Sequence, residues 1–127
     1  SRADAEVQQQ LHTLLSASAR LRPIAEGRFS GQVAYGGGGG QTSRGGGKRL
    51  VCTTYHVIAL STVGGEAQLE WSEPLANIAV LEESSAELIL HLRDGGMRFV
   101  PCGAGPKEKR ACFALVDMGL RAASAAL

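Results

Sequence analysis

The stretch that decides the fold is KRLVCTTYHVIALSTVGG, Lys48 to Gly65. An apolar, β-branched run reaches a histidine, His56, and then gives way to small residues and glycine. Branched side chains suit a pleated, half-buried surface, so RLVCTTYHV (49–57) is expected as one strand with His56 near its end. A histidine there either moves a proton or simply finishes a strand, and the flanking sequence has to choose.

On the N-terminal side the period is two. In RFSGQVAY, Phe29, Val33 and Tyr35 share one face while Arg28, Ser30 and Gln32 share the other, the mark of a half-buried strand. GGGGGQTSRGGG (36–47) follows, a low-complexity segment expected to serve as a hairpin connection. On the C-terminal side, EAQLEW (66–71) alternates, NIAVL (77–81) is a short buried run after Pro74, and ELILHLRDGGMRFV (87–100) reads as a hairpin turning at Asp94-Gly95-Gly96. ACFALVDM (111–118) is expected as a last apolar strand, and the alanine-rich tail as a helical turn. Short strands with regular turns imply a mainly β fold, a small antiparallel β-barrel over 28–127.

Residues 1–27 stand outside that pattern. In DAEVQQQLHTLLSASARL (4–21), Val7, Leu11, Leu14, Leu15 and Leu21 fall on one stripe of a 3.6-residue period. Asp4 can cap the start and Pro23 forbids continuation, so an N-terminal amphipathic helix is expected, with His12 exposed. Its stripe packs on its own domain or docks to a partner chain.

The totals narrow the function. With 127 residues the chain makes one domain, and a formal net charge of +1 offers no overall attraction for nucleic acid or anionic membrane. No apolar run approaches the roughly 20 residues of a membrane span. SRADAEVQQQ lacks the apolar centre of a signal peptide, which points to a cytoplasmic or virion-associated protein or to a product cut from a longer precursor. Three cysteines, Cys52, Cys102 and Cys112, form no disulfide framework and are expected to be reduced.

Thr53-Thr54-Tyr55-His56-Val57, a glycine-containing turn, and then Asn77-Ile78-Ala79-Val80-Leu81 together resemble the first barrel of chymotrypsin-like proteases. The likeness is greatest to the small serine proteases of positive-strand RNA viruses and covers about 28–81. It implies that His56 stands in the place of the general base and Asn77 in the place of the acid that orients its ring. Two departures separate the chain from that chemistry. Asn77 carries no charge to stabilise an imidazolium, an exchange that costs about 10⁴-fold in kcat in a protease of this type. The family's G-x-S-G or G-x-C-G nucleophile motif is missing; its nearest imitation is Pro101-Cys102-Gly103-Ala104-Gly105, with Cys102 as the candidate nucleophile. Too few residues separate NIAVL from Cys102 to begin a second barrel.

No cofactor or metal is expected. Cys52 and His56 share a strand face, but the tight cysteine pairs usual for zinc do not occur. Three functions are open. The first is a non-catalytic protease-fold binding or structural module, such as a viral accessory or capsid-associated protein, meeting a protein partner or a second copy through the N-terminal helix or a barrel face. The second is the N-terminal part of a viral peptidase whose nucleophile lies elsewhere. The third is an RNA-contacting module whose Arg44, Lys48 and Arg49 meet phosphates, a mode that would be steeply salt-dependent.

Overall fold

A computed structural model describes residues 2–36, 47–102 and 106–125 of the chain. Most of the glycine-rich segment, with Arg44, lies outside the described residues, as do Gly103, Ala104 and Gly105.

The protein is mainly β, with two antiparallel sheets and an N-terminal helix. Helix α1 (Arg2–Ser16) is followed by a 3₁₀ segment (Ala19–Glu26), whose start is capped by the Ser18 hydroxyl accepting from Arg20 N–H at 3.2 Å. Strands β1 (Phe29–Tyr35), β2 (Gly47–Thr53), β3 (His56–Val63) and β4 (Glu66–Pro74) form a four-stranded meander in that order. A 3₁₀ turn (Leu75–Asn77) leads to β5 (Ile78–Glu83), β6 (Glu87–Leu92) and β7 (Met97–Pro101), a second meander. Helix α2 (Pro106–Ala125) closes the chain.

The turns obey local chemistry. Gly64 and Gly65, at φ 60° and 84°, join β3 to β4 as a two-residue hairpin whose flanking pair is Val63 and Glu66. Gly95, at φ 95°, turns β6 into β7, and Asp94 Oδ1 accepts from Gly96 N–H at 2.9 Å.

The segment RLVCTTYHV is not one strand. Thr53 Oγ1 accepts from the backbone N–H of His56 at 3.0 Å and of Tyr55 at 3.3 Å, so the chain reverses at Thr54-Tyr55. His56 therefore begins β3. The small-residue stretch that follows it is a central strand, with Val57, Ile58, Ala59 and Leu60 all buried.

Central β2 and β3 are buried on both faces, which explains a continuous apolar run where a half-exposed strand would alternate. On one face Val51, Ile58 and Leu60 meet Val7, Leu11 and Leu15 of α1, with Leu21 and Ile24 of the 3₁₀ segment alongside. Residues 2–26 are thus a packed layer, and the stripe of the N-terminal helix is used within the chain. On the other face Leu50, Cys52 and Val57 join Leu88, Leu90 and Val100 of the second sheet and Cys112 and Val116 of α2.

The expected strand ACFALVDM is instead the middle of α2. Pro106 is tolerated in a first helical turn because its missing N–H has no intrahelical acceptor. Cys112 and Val116, one turn apart, point into the core, with Leu120 and Ala123 packed against it. Close approach needs glycine: a Cβ on Gly119 would sit 2.6 Å from Cys52 Sγ.

Candidate functional site

The two stretches that carry the protease resemblance meet in space. His56 pairs with Pro74 at the end of β4, and Leu75 N–H donates to the Tyr55 carbonyl at 2.8 Å. The turn before β3 and the 3₁₀ turn before β5 are therefore one hydrogen-bonded unit, with His56 on the first and Asn77 on the second.

The side chains there do not act on one another. His56 is half-buried, and its Nδ1 is sealed from solvent with no hydrogen-bond partner among the described residues. Burial lowers the His56 pKa below 6.5, while the charge of Glu26 pulls it the other way. A catalytic imidazole needs its far nitrogen held so that one tautomer persists, and nothing holds this one. The Asn77 side chain is used elsewhere: its Nδ2 donates to Glu73 Oε1 at 3.2 Å, while the Asn77 backbone carbonyl accepts from Arg93 N–H at 2.8 Å.

Neighbouring acids in sequence are also engaged. Glu73 Oε2 takes a 2.7 Å ion pair from Arg98 Nε, and the Arg98 guanidinium lies 5.4 Å from the centre of the Trp71 ring. Glu70 faces Lys48 at 3.7 Å. Arg49 Nη1 donates to Gln32 Oε1 at 3.1 Å, so the two described cations beside the glycine-rich segment have partners on the sheet.

Cys102 is not brought to His56. It follows β7, its N–H donates to the Ala86 carbonyl at 2.9 Å, and it packs beside Tyr35 and Cys112. Tyr35 pairs with Lys48 at one end of the β1–β2 ladder, while Phe29 pairs with Thr53 at the His56 end. At about 3.3 Å per residue those ends are roughly 20 Å apart. The thiol of Cys102 is raised above the ordinary cysteine range, chiefly by burial. Burial also pushes Cys52 up to about 11 and drives Cys112 higher still. Such thiols are protonated at neutral pH and poor nucleophiles. Among the described residues, no group of three or more His, Cys, Asp or Glu is placed to hold a metal ion, and no helix is long and apolar enough to cross a membrane.

A different surface escaped the sequence reading. Residues of β5–β6–β7 that point away from the core fall in the rows Val80–His91–Met97 and Glu82–Ile89–Phe99, with Glu87–Pro101 beyond them at one end. Val80, Met97 and Phe99 remain 56%, 49% and 44% exposed. The charged members, Glu82 and His91, meet at 2.7 Å. The alternation in ELILHLRDGGMRFV hinted at two faces, but which face stays open depends on where the other sheet and α2 pack.

Comparison with protein-family models and with curated proteins gives no match.

Proposed function

We propose that this chain is a non-catalytic binding module of protease-like descent, and that its working surface is the open face of the β5–β6–β7 sheet. The single observation that carries the reading is the exposed apolar set Val80, Met97 and Phe99 on a sheet whose other face is core. Contiguous apolar area on a folded surface marks an interaction site more often than chance exposure. The hydrogen bond between the Tyr55 and Leu75 turns supports the protease-like descent, the two sheets then being an opened form of the family's first barrel. The unheld Nδ1 of His56, the engaged amide of Asn77 and the remoteness of Cys102 support the lack of catalysis.

The occupant is an amphipathic helix of a partner protein. Three strands spaced about 4.8 Å apart and five to six residues long give a face of roughly 10 by 17 Å. That is far below the ~800 Å² per partner of a stable dimer, but it matches the 10–12 Å diameter of one helix. Because Glu82 and His91 already face each other, the patch favours an apolar stripe over a charged segment.

The test is selection from a displayed library of amphipathic helical peptides against the full chain, followed by fluorescence anisotropy of the selected peptide. Binding that drops at least tenfold in Val80→Ser/Phe99→Ser is expected. Failure to select any helix, or binding indifferent to those changes, overturns the assignment. Concentration-dependent dimerisation abolished by Phe99→Ser gives the face to a second copy instead. Hydrolysis of a fluorogenic peptide that disappears in His56→Ala overturns the non-catalytic reading.

A further inference from the structure

We propose that the free edge of β4 binds an extended segment of a partner protein, added as a further strand, in which basic and apolar residues alternate. The strands at sheet edges are β1, β4, β5 and β7. Helix α2 lies against both β1 and β5. Its Glu108 Oε2 accepts from Gly36 N–H at 2.9 Å, and its Lys109 Nζ donates to the Ser84 carbonyl at 2.6 Å. β7 is the shortest strand, and its last residue, Pro101, lies close to Gly36 at the end of β1. β4 is the longest. Among the described residues, no backbone group outside its sheet bonds to 66–69.

The ladder sets the pattern of the added strand. Hydrogen-bonded and non-hydrogen-bonded pairs alternate along antiparallel strands, and the pair closing a two-residue hairpin is hydrogen-bonded. Val63 and Glu66 are that pair, so Ala67 and Leu69 turn their N–H and C=O groups to the free side. A bulge at Glu70 ends this straight run, and Pro74, which has no N–H, closes the strand. Unpaired backbone groups in a row are a template for another strand. Side chains then choose its sequence. Leu69 lies with Leu14 at the half-buried rim of the α1 cluster and suits an apolar neighbour. Glu66 and Gln68 are exposed on the other face, and Glu70 joins them there through Lys48, whose row on the sheet is Ser61–Gln68. Lys48 reaches Glu70 only at 3.7 Å, and Glu66 has no ion pair among the described residues. Carboxylates along an edge favour lysine or arginine at alternate positions of the strand beside it. They also disfavour a second copy, because antiparallel pairing centred on Gln68 would set Glu66 of each chain against Glu70 of the other.

The test is titration of the full chain with a capped peptide of strictly alternating lysine and valine, read by fluorescence anisotropy and by amide hydrogen exchange. Exchange at the Ala67 and Leu69 amides is expected to slow by about tenfold or more on binding. Glu66→Lys/Glu70→Lys should weaken binding by about tenfold or more, as should sorting the same lysines and valines into two blocks. Val80→Ser/Phe99→Ser should leave this binding unchanged, which separates the edge of β4 from the open face of β5–β6–β7. No binding up to about 1 mM, equal binding of the block peptide, or protection at a different edge overturns the proposal. Self-association of the free chain that slows exchange at the same two amides gives the edge to a second copy and overturns it as well. Exchange in the wild type decides the matter even where the charge-reversed variant folds poorly.

Discussion

Arg98 Nε stands 2.7 Å from Glu73 Oε2, and this pair joins β7 of one sheet to β4 of the other. The carboxylate is nearly buried and the guanidinium is partly exposed. Asn77 supplies the second oxygen with a donor, and Trp71 lies beneath the guanidinium. Asn77, which the resemblance alone sets in the place of a protease's acid, thus helps hold the sheets together.

Arg98→Ala leaves a buried carboxylate with one neutral donor. Stranding a buried charge costs 3–5 kcal/mol, and partial exposure of the arginine reduces that to about 2 kcal/mol here. Asn77→Ala removes a hydrogen bond to a charged group and should cost about 1–2 kcal/mol. Urea denaturation measures both; a loss below about 0.5 kcal/mol for Arg98→Ala would mean that the pair contributes nothing to stability.

Gly119→Ala sets two effects against each other. Replacing a mid-helix glycine gains up to about 1 kcal/mol of helix propensity. The new methyl would meet Cys52 Sγ at 2.6 Å, and overpacking of that kind costs about 1–3 kcal/mol. A net loss near 1 kcal/mol is expected in the wild-type background. With Cys52→Ala beside it the clash is gone, and the same substitution should become neutral or stabilising. Equal effects in both backgrounds would contradict the close packing of α2 on β2.

Leu11 reports on whether α1 belongs to this fold. It is buried against β2 and β3, so Leu11→Ala should cost about 2–4 kcal/mol. His12→Ala, on the exposed face of the same helix, should change stability by less than about 0.5 kcal/mol. Similar small losses for both would mean that the helix is only loosely attached.

His56 makes stability depend on pH in a set direction. Its folded pKa lies below 6.5, so on acidification the unfolded chain takes up the proton first. The contribution is intact above pH 6.5 and is lost as pH falls from there through the lowered folded value. Between pH 7.5 and 5 the wild type should lose more stability than His56→Gln, as read from urea midpoints. Parallel pH profiles would rule out a buried neutral imidazole.

Where local pattern and environment agree, the sequence was a sound guide. The α1 stripe and the glycine turns at Gly64-Gly65 and Gly95 each express a preference satisfied within a few residues. Alternation in Phe29–Tyr35 marked the strand but not its faces: a bulge between Phe29 and Gly31 turns Phe29 toward α1, while Val33 and Tyr35 pack on the opposite side. Helix α2 was misjudged because ACFALVDM is a short apolar run, which periodicity alone assigns to strand or helix equally well. Pro106 before it and the i, i+4 spacing of Cys112 and Val116 were the available signals. The break at Thr54-Tyr55 was hidden because a threonine hydroxyl, with no glycine or proline, makes the turn.

The candidate site was legible only as an order of motifs. Sequence placed His56 near a strand end and Asn77 at the start of a later buried run, and the hydrogen bond from Leu75 to Tyr55 brings the turns beside them together. It did not reveal that Glu26 is the acid influencing His56, that Arg98 takes Glu73, or that Cys102 sits beside Cys112. Residues that close to form a helix or a hairpin declare themselves through spacing, because their partners are a turn away. Which face of β5–β6–β7 stays open, and which side chains meet across two sheets and a helix, was decided only by tertiary packing. Burying the largest apolar area fixes those meetings between residues far apart in the chain, and no local pattern encodes them.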